Sequence, residues 1–509
     1  MLIWLRIFCI FAISIAIANP VLADDIPKKI PLYDVVLNGG RVMDPETGLD
    51  AIANVGITDR TITAITVAKI DGVETIDVTG QIVAPGFIDV HNHSPTPLGQ
   101  IYQARDGVTT SLELEAGSYP VAVHGAYIRR KARINYGAST GHTQARMVAM
   151  SGGKHAAVPD ILGATASKIG QDNGEARTRF VVANPSERSE IRATVEDGLL
   201  QGGIGIGLLL DYISDAVDEQ ELRAMFELAA QYQTPVFVHI RRGIAGDPAG
   251  LDEVLSMAKA TSAKVHICHM SHNAMKNVEL FLARIREARK AGVDVTTEVL
   301  PYNAGSTSIG AAVFGRDWQR IFDIGPQDVQ LASTGAYFTQ ESFDRTRREN
   351  PNAAIIHHYL KEEWTRYLVA APDVILSSDG LPVISLDKKM PPQGIGSFAK
   401  LVGTYVRDEQ LLPMMTALSK ITLQPAQLLE KAAPAFRLKG RLQIGMDADI
   451  TVFNPLVIKD KATYEDPHQA SIGVTHLLVN GQFVIKGEKL EDAAFPGRQI
   501  FGSSSKRSE

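Results

Sequence analysis

Residues 82–95 read IVAPGFIDVHNHSP. A β-branched apolar run ends in two histidines two positions apart, and a proline closes it. Side chains alternate along a strand, so His91 and His93 are expected to share one face with Asp89. Working outward from this run, seven more strand-like stretches follow: GVTTSLELE, RINYGAST, GIGIGLLL, TPVFVHIR, AKVHICHM, VDVTTEVL and PDVILSSD. Helical patterns such as DEQELRAMFELAAQYQ and VELFLARIREARKAG lie between most of them. Alternating strands and helices predict βα units on a parallel sheet. Eight such units predict an α/β, TIM-like (β/α)8 barrel over residues 84–434, with its active site at the C-terminal ends of the strands. The stretch at about 311–371 is too long for one βα loop and is expected to be an insertion.

The flanks have another texture. YDVVLNGGRVMDP and ANVGITDRTITAIT precede the barrel, and GRLQIGMDADITVFNP and VTHLLVNGQFVIKGE follow it. Gly and Asp turns separate β-branched alternations in both. Residues 31–83 and 435–492 are therefore expected to form one small β-sandwich domain from both chain ends. Residues 493–509 are expected to be a tail, with GSSSKRSE disordered.

The first residues, MLIWLRIFCIFAISIAIANPVLADD, carry one cation, Arg6, then an apolar run, then the V-x-A site of Val21 and Ala23. This predicts a signal peptide over residues 1–23 and a periplasmic or secreted bacterial protein. Cleavage would remove Cys9 and leave Cys268 as the last cysteine, so no internal disulfide is expected. No later segment has the roughly 20 apolar residues of a membrane span. The chain has 509 residues, 45% of them hydrophobic, and a net charge of −6. This charge gives no electrostatic footprint for nucleic acid or an anionic membrane. A homo-oligomer is compatible with all of this.

The ionisable residues collect at the predicted barrel mouth. His91 and His93 end strand one, His239 ends strand five, His269 ends strand six and Asp379 ends strand eight. Buried imidazoles and carboxylates without a partner would be costly. Together they suit a divalent ion such as Zn²⁺, one or two in number. In TTSLELEAG, Leu112 and Leu114 share one face and Glu113 and Glu115 the other. A barrel's outer face packs on helices and takes the leucines, so both glutamates are expected to point inward. Glu115, nearer the strand's end, is the expected metal ligand, and Glu113 is expected to pair with a group behind the ligands. His266 and Cys268 have the opposite parity to His269 and are expected to face the helices. His272 and His142 fit either a pocket or a structural role. His357 and His358 fall in the insertion and read as surface or structural residues. Lys154, in SGGKH, reads as a loop residue rather than a carboxylated bridging ligand.

PGFIDVHNH, with the later strand-end His239, His269 and Asp379, resembles the amidohydrolase superfamily. INYGASTGHTQAR, CHMSH, PYNAGST, SSDGLP, GMDADITVFNP and EDPHQASIGVTHLLVNGQFV are similar to its D-aminoacylase branch, the N-acyl-D-amino-acid deacylases. The resemblance covers nearly the whole chain after residue 23. It implies that His91, His93, His239 and His269 are metal ligands and that Asp379 is the proton-transferring base. Two departures stand out. The branch commonly ends strand two with a ligating Cys, where this chain has LELEAG. Many relatives carry a Lys at the position of Ser271.

The resemblance implies hydrolysis of a linear amide, with deacylation of an N-acyl-D-amino acid as the leading reading. Hydroxide generated at the metal would attack the carbonyl, and Asp379 would pass the proton to the leaving amine. A substrate carboxylate needs a cation and hydroxyls, and Arg146, Arg241 and Tyr302 follow predicted strands at the mouth. The alternatives are a cyclic-amide hydrolase of the hydantoinase or dihydroorotase kind and a non-catalytic binding protein on the same barrel. The former usually bridges its metals with a carboxylated lysine; the latter would not need Asp379.

Overall fold

The computed structural model describes residues 33–506, apart from 127, 151–172 and 388. The expected leader and Lys154 lie outside the described residues. The N-terminal flank gives β1 (Tyr33–Asp44), β2 (Leu49–Thr58), β3 (Thr61–Thr66), β4 (Gly72–Asp77) and β5 (Ile82–Pro85). The middle gives β6 (Phe87–Asp89), β7 (Val108–Ser118), β8 (Asn135–Gly141), β9 (Ile206–Leu209), β10 (Val236–His239), β11 (Val265–Ile267) and β12 (Val295–Val299). After these come β13 (Gly305–Ser308), β14 (Val329–Leu331), β15 (Ala354–His357) and β16 (Ile375–Leu376). The C-terminal flank gives β17 (Ile450–Phe453), β18 (Val474–Val479), β19 (Gln482–Lys486) and β20 (Lys489–Leu490).

β6 to β12 and then β16 pair side by side, each parallel to the next. The barrel is closed just past its last strand by an Asn92–Gly380 bridge, with Asp379 N donating to His91 O at 2.7 Å and His93 N to Gly380 O at 2.8 Å. The strands of both flanks form a second, nine-stranded sheet. Its seam is β5, parallel to β1 and antiparallel to β17. The run at residues 82–95 is therefore divided at Pro85–Gly86: its first half belongs to the outer sheet, its second half to the barrel. Gly86 makes the passage possible, because a Cβ there would lie 2.2 Å from Thr109 Oγ1.

Two apolar layers define the inside and outside of the barrel. Phe87, Val108, Val236, Val238, Val265, Ile267, Val295 and Val299 pack with helix residues such as Leu222, Met225, Leu251 and Phe281. Ile88, Val90, Leu112, Leu114, Phe237, Cys268 and Ile375 pack with one another and with Leu428, Leu429 and Phe436. The second set fills the lumen, and the helix Leu423–Leu429 with the turn Pro434–Leu438 closes its lower end. A fully buried Phe such as Phe237 contributes on the order of 2–3 kcal/mol by burial alone.

Two boundaries differ from expectation. The insertion begins earlier, at β13, and its three-stranded antiparallel sheet has a separate core around Phe314, Trp318, Phe322, Phe343 and Ile355. The helix Glu362–Ala370 already belongs to the barrel wall, through Leu368 and Val369. The C-terminal segment is ordered through Lys506, against the expectation of a disordered end. Ile500 N donates to Tyr136 O, Ser503 N to Ala432 O and Lys506 N to Leu200 O. These backbone bonds to the barrel's lower rim have no side-chain signature in GSSSK. Among the described residues, no helix is long and apolar enough to cross a membrane.

Candidate active site at the barrel mouth

Two groups of donor atoms meet at the upper rim, and Glu115 belongs to both. In the first, His91 Nε2 lies 3.2 Å from His93 Nε2, 3.2 Å from Glu115 Oε2 and 3.3 Å from Asp379 Oδ1. His93 Nε2 lies 3.2 Å from Asp379 Oδ1 and 3.6 Å from Glu115 Oε2. In the second, Glu115 Oε1 lies 3.0 Å from His239 Nδ1 and 2.6 Å from His269 Nε2, and the two ring nitrogens are 3.0 Å apart. One carboxylate thus turns one oxygen to each group.

Strand alternation delivers His239, which shares the face of Phe237, but not all of these side chains. Leu112 and Leu114 point into the lumen, so the premise that they face the helices is wrong. Glu115 reaches the site because β7 slips register against β8 between Glu113 and Ser118. His91 and His93 lie beyond the end of β6. Asp89 does not share their surroundings: it accepts from Ser378 N and Oγ and lies 3.4 Å from Gln103 Nε2. Burial raises its pKa to about 6, against the pull of those donors. His269 sits past the end of β11 at φ 34°, and Asp379 past β16 at φ 50°. Left-handed backbone is uncommon outside glycine and clusters at functional turns. At His269 the turn aims at the mouth a side chain that the strand's period would put on the face of Val265 and Ile267, whereas Asp379 keeps the parity of Ile375.

The same turn corrects the reading of His266 and Cys268. Both face the lumen, because Val265 and Ile267 occupy the outer face. His266 Nε2 lies 3.2 Å from Glu298 Oε2, and Cys268 lies beside His91 and Glu298. Burial and Glu298 push the Cys268 thiol well up, so it remains S–H.

Glu298 was not singled out from the sequence, although a carboxylate inside VDVTTEVL was a visible irregularity. His91 Nδ1 donates to its Oε1 at 2.5 Å and His269 N donates to the same oxygen at 3.1 Å. Glu113 serves His93 likewise, accepting from its Nδ1 at 2.7 Å. With each Nδ1 engaged by a carboxylate, each Nε2 is the ring nitrogen that faces the first group.

The charges suit a cation. Burial pushes the Glu115 carboxyl up, but His91, His269 and His239 hold it well below the usual range. Asp379 is likewise held low, by His91 and His93 against burial. Burial and the neighbouring His269 push His239 down to about 4, which leaves it neutral. A tetrahedral ion with ligands at about 2.0–2.1 Å would space them about 3.3–3.4 Å apart. The first group's donor spacings of 3.2–3.6 Å fit that figure.

The three residues considered for a substrate carboxylate are all engaged elsewhere. Arg146 is fully buried, with Nη1 2.5 Å from both oxygens of Glu221, and it also donates to Thr178 O and Val181 O. His142 shares Glu221 at 2.7 Å, so it too is structural. Arg241 Nη1 lies 2.5 Å from each oxygen of Glu253, and the side chain also donates to Ser214 O and Val217 O. Tyr302 donates to Asp460 Oδ2 at 3.0 Å and carries Lys400 over its ring. In each case the competing partner comes from a helix or loop whose approach the local sequence does not announce. His272 is buried near His269, and burial together with His269 pushes it down to about 3. His357 is buried among Phe314, Phe322 and Tyr359, and His358 contacts Gln330, in keeping with structural roles.

The profile of the amidohydrolase family matches residues 74–485. The chain is 32% identical to an N-acyl-D-glutamate deacylase of Alcaligenes xylosoxydans xylosoxydans, over 88% of this chain and 93% of that one. It is 27% identical to a D-aminoacylase of the same organism, over 88% of this chain and 94% of that one. Among solved structures, an N-acyl-D-glutamate deacylase from Bordetella bronchiseptica, complexed with zinc and a phosphonate inhibitor, superposes with a TM-score of 0.75. That likeness spans 92% of this chain and 100% of that one at 23% identity.

Proposed function

The chain belongs to the amidohydrolase family, and from that premise we propose that it deacylates N-acyl amino acids of D configuration with zinc as its ion. The observation that carries the reading is the pair of donor groups sharing Glu115, with Asp379 beside them. The relatives' names support the acyl-amino-acid substrate and its configuration. A divalent ion in these groups would polarise the amide carbonyl and acidify water. His91, His93, Glu115 and Asp379 would hold it in the first group, and Glu115, His239 and His269 in the second.

Asp379 is the group placed to move protons. Its side chain is 21% exposed, against 5% or less for His91, Glu115, His239 and His269, so it borders the space a substrate enters. Held ionised, it can accept a proton from water and return it to the departing nitrogen. Glu115 fixes the two groups relative to each other. Glu298 and Glu113 fix the rings of His91 and His93. Because Glu115 is itself a carboxylate, the shared position needs no carboxylated lysine, which supports a linear amide over a cyclic one. The apolar run and V-x-A site of residues 1–23 support export to the periplasm, which the intact mass of protein recovered from a bacterial periplasm would test.

The test of function is a panel of N-acetyl-D- and N-acetyl-L-amino acids, hydantoin and dihydroorotate on the zinc-loaded chain. The expected result is release of free D-amino acids, abolished by chelation and restored by zinc. Turnover of the cyclic amides alone, or undiminished activity without metal, would overturn the reading.

A further inference from the structure

Arg242 differs from its neighbour Arg241 in what it lacks. It lies three residues past His239, with its side chain only 10% exposed. Its Nε donates to Asn273 Oδ1 at 3.3 Å, and its Nη1 stands 3.8 Å from Asp211 Oδ2, beyond hydrogen-bond reach. Asp211 already accepts from Arg316 Nη1 at 2.8 Å and from the backbone N of Arg242 at 3.0 Å. Two guanidinium groups therefore share one carboxylate. Among the described residues, neither terminal nitrogen of Arg242 has an acceptor at hydrogen-bond distance.

The surroundings face the candidate site. One side of the guanidinium covers the Phe322 ring at 5.4 Å. Tyr212 lies edge-on to His239 at 5.1 Å, and Tyr359 OH donates to the carbonyl of His272. Burial opposes the guanidinium's charge, but Tyr359, Asp211, Tyr212 and Glu115 surround and sustain it. A buried cation with unfilled donors is costly unless an anion completes it. A guanidinium's planar fork matches a carboxylate with two parallel hydrogen bonds.

We propose that Arg242 receives a carboxylate of the substrate and sets the enzyme's demand for an anionic group. This deepens the acyl-amino-acid reading and rests on it. The carboxylate is the α-carboxylate, or the side-chain carboxylate of an acidic substrate. Both present the same fork to the guanidinium.

The experiment compares the zinc-loaded wild type with Arg242→Met and Arg242→Lys. The substrates form two acid/amide pairs: N-acetyl-D-methionine against its α-amide, and N-acetyl-D-glutamate against N-acetyl-D-glutamine. In Arg242→Met, the acid-over-amide ratio of kcat/KM is expected to fall about 100-fold for the pair whose carboxylate is bound, mainly through KM. Arg242→Lys keeps the charge without the fork and is expected to recover part of that ratio. A fall in the first pair assigns the α-carboxylate, and one in the second pair the side chain. Ratios unchanged in both pairs would overturn the proposal. If the wild type turns over no N-acyl amino acid, calorimetric binding of glutarate to the zinc-loaded protein decides instead. Binding lost in Arg242→Met would uphold Arg242 while the functional reading falls. No binding, or binding equal in both proteins, would overturn Arg242 as well.

Discussion

Along the bodies of the barrel strands, side chains alternate and Ile88, Leu112, Phe237 and Ile375 give the lumen an apolar filling, interrupted by the His266–Glu298 pair. At the strand ends the period breaks. Glu115 follows a register slip, and His269 and Asp379 sit in left-handed backbone. The bodies supply burial, which is insensitive to angle, and the ends supply donors whose direction must be set one by one. A (β/α)8 fold separates the two duties along its axis. The difference predicts that substitutions at the ends remove chemistry while leaving the fold, and that substitutions in the bodies do the reverse.

The largest effect belongs to an end. Asp379→Asn is expected to lower kcat by about 10²–10⁴-fold with little change in melting temperature. Comparable loss of stability and activity would erase the distinction between the two regions. A body residue gives the converse. Phe237→Ala removes a fully buried ring from the lumen and should cost ~3–5 kcal/mol of stability, read by urea unfolding. Below its melting temperature the variant is expected to bind metal as the wild type does. A lost metal site would mean that the lumen positions the donors directly.

How much was legible follows from the same division. The eight strands and the outer sheet were readable because burial imposes a period, and His91, His93, His239, His269 and Asp379 stood out as residue types foreign to strand termini. Their brought-together geometry was readable only as a tendency. The inward placement of Glu113 and Glu115 was argued from the leucines, and that argument fails because Leu112 and Leu114 face the lumen and an interruption of the period after Glu113 brings Glu115 to the site. His266 and Cys268 were misplaced for the same reason, with the turn at His269 as the interruption. Arg146 and Arg241 were misread because Glu221, on another helix, and Glu253, on the helix that follows Arg241, claim them, and such pairing leaves no trace in a local window.

Glu298 sharpens the comparison, since it lies on a strand body yet serves the ends. It accepts from His91 Nδ1, from His269 N and from His266. Glu298→Gln retains the shape but not the charge that holds the His91 ring. Metal affinity, read by competition with a chelator, is expected to weaken about 10–100-fold. Affinity unchanged within a factor of three would show that the mouth holds its donors without support from below.

The smallest effect concerns a histidine away from the mouth. His124 is buried after the turn Val121–Val123, and desolvation pushes its pKa down to about 4. At the mouth, His91 and His93 face carboxylates and are pushed the opposite way despite burial. The folded state keeps His124 neutral down to about pH 4, whereas the unfolded chain takes up its proton near pH 6.5. Between those values the unfolded state binds more protons, so stability present above pH 6.5 is lost as the pH falls. This histidine should account for ~1 kcal/mol of loss between pH 7.5 and 5.5. In His124→Gln that share of the slope is expected to vanish, whatever the substitution does to stability at pH 7.5. Urea unfolding at the two pH values, wild type against variant, measures it. Equal slopes would mean that His124 finds in the folded protein a counter-charge like those at the mouth, and the contrast between the two kinds of buried histidine would be lost.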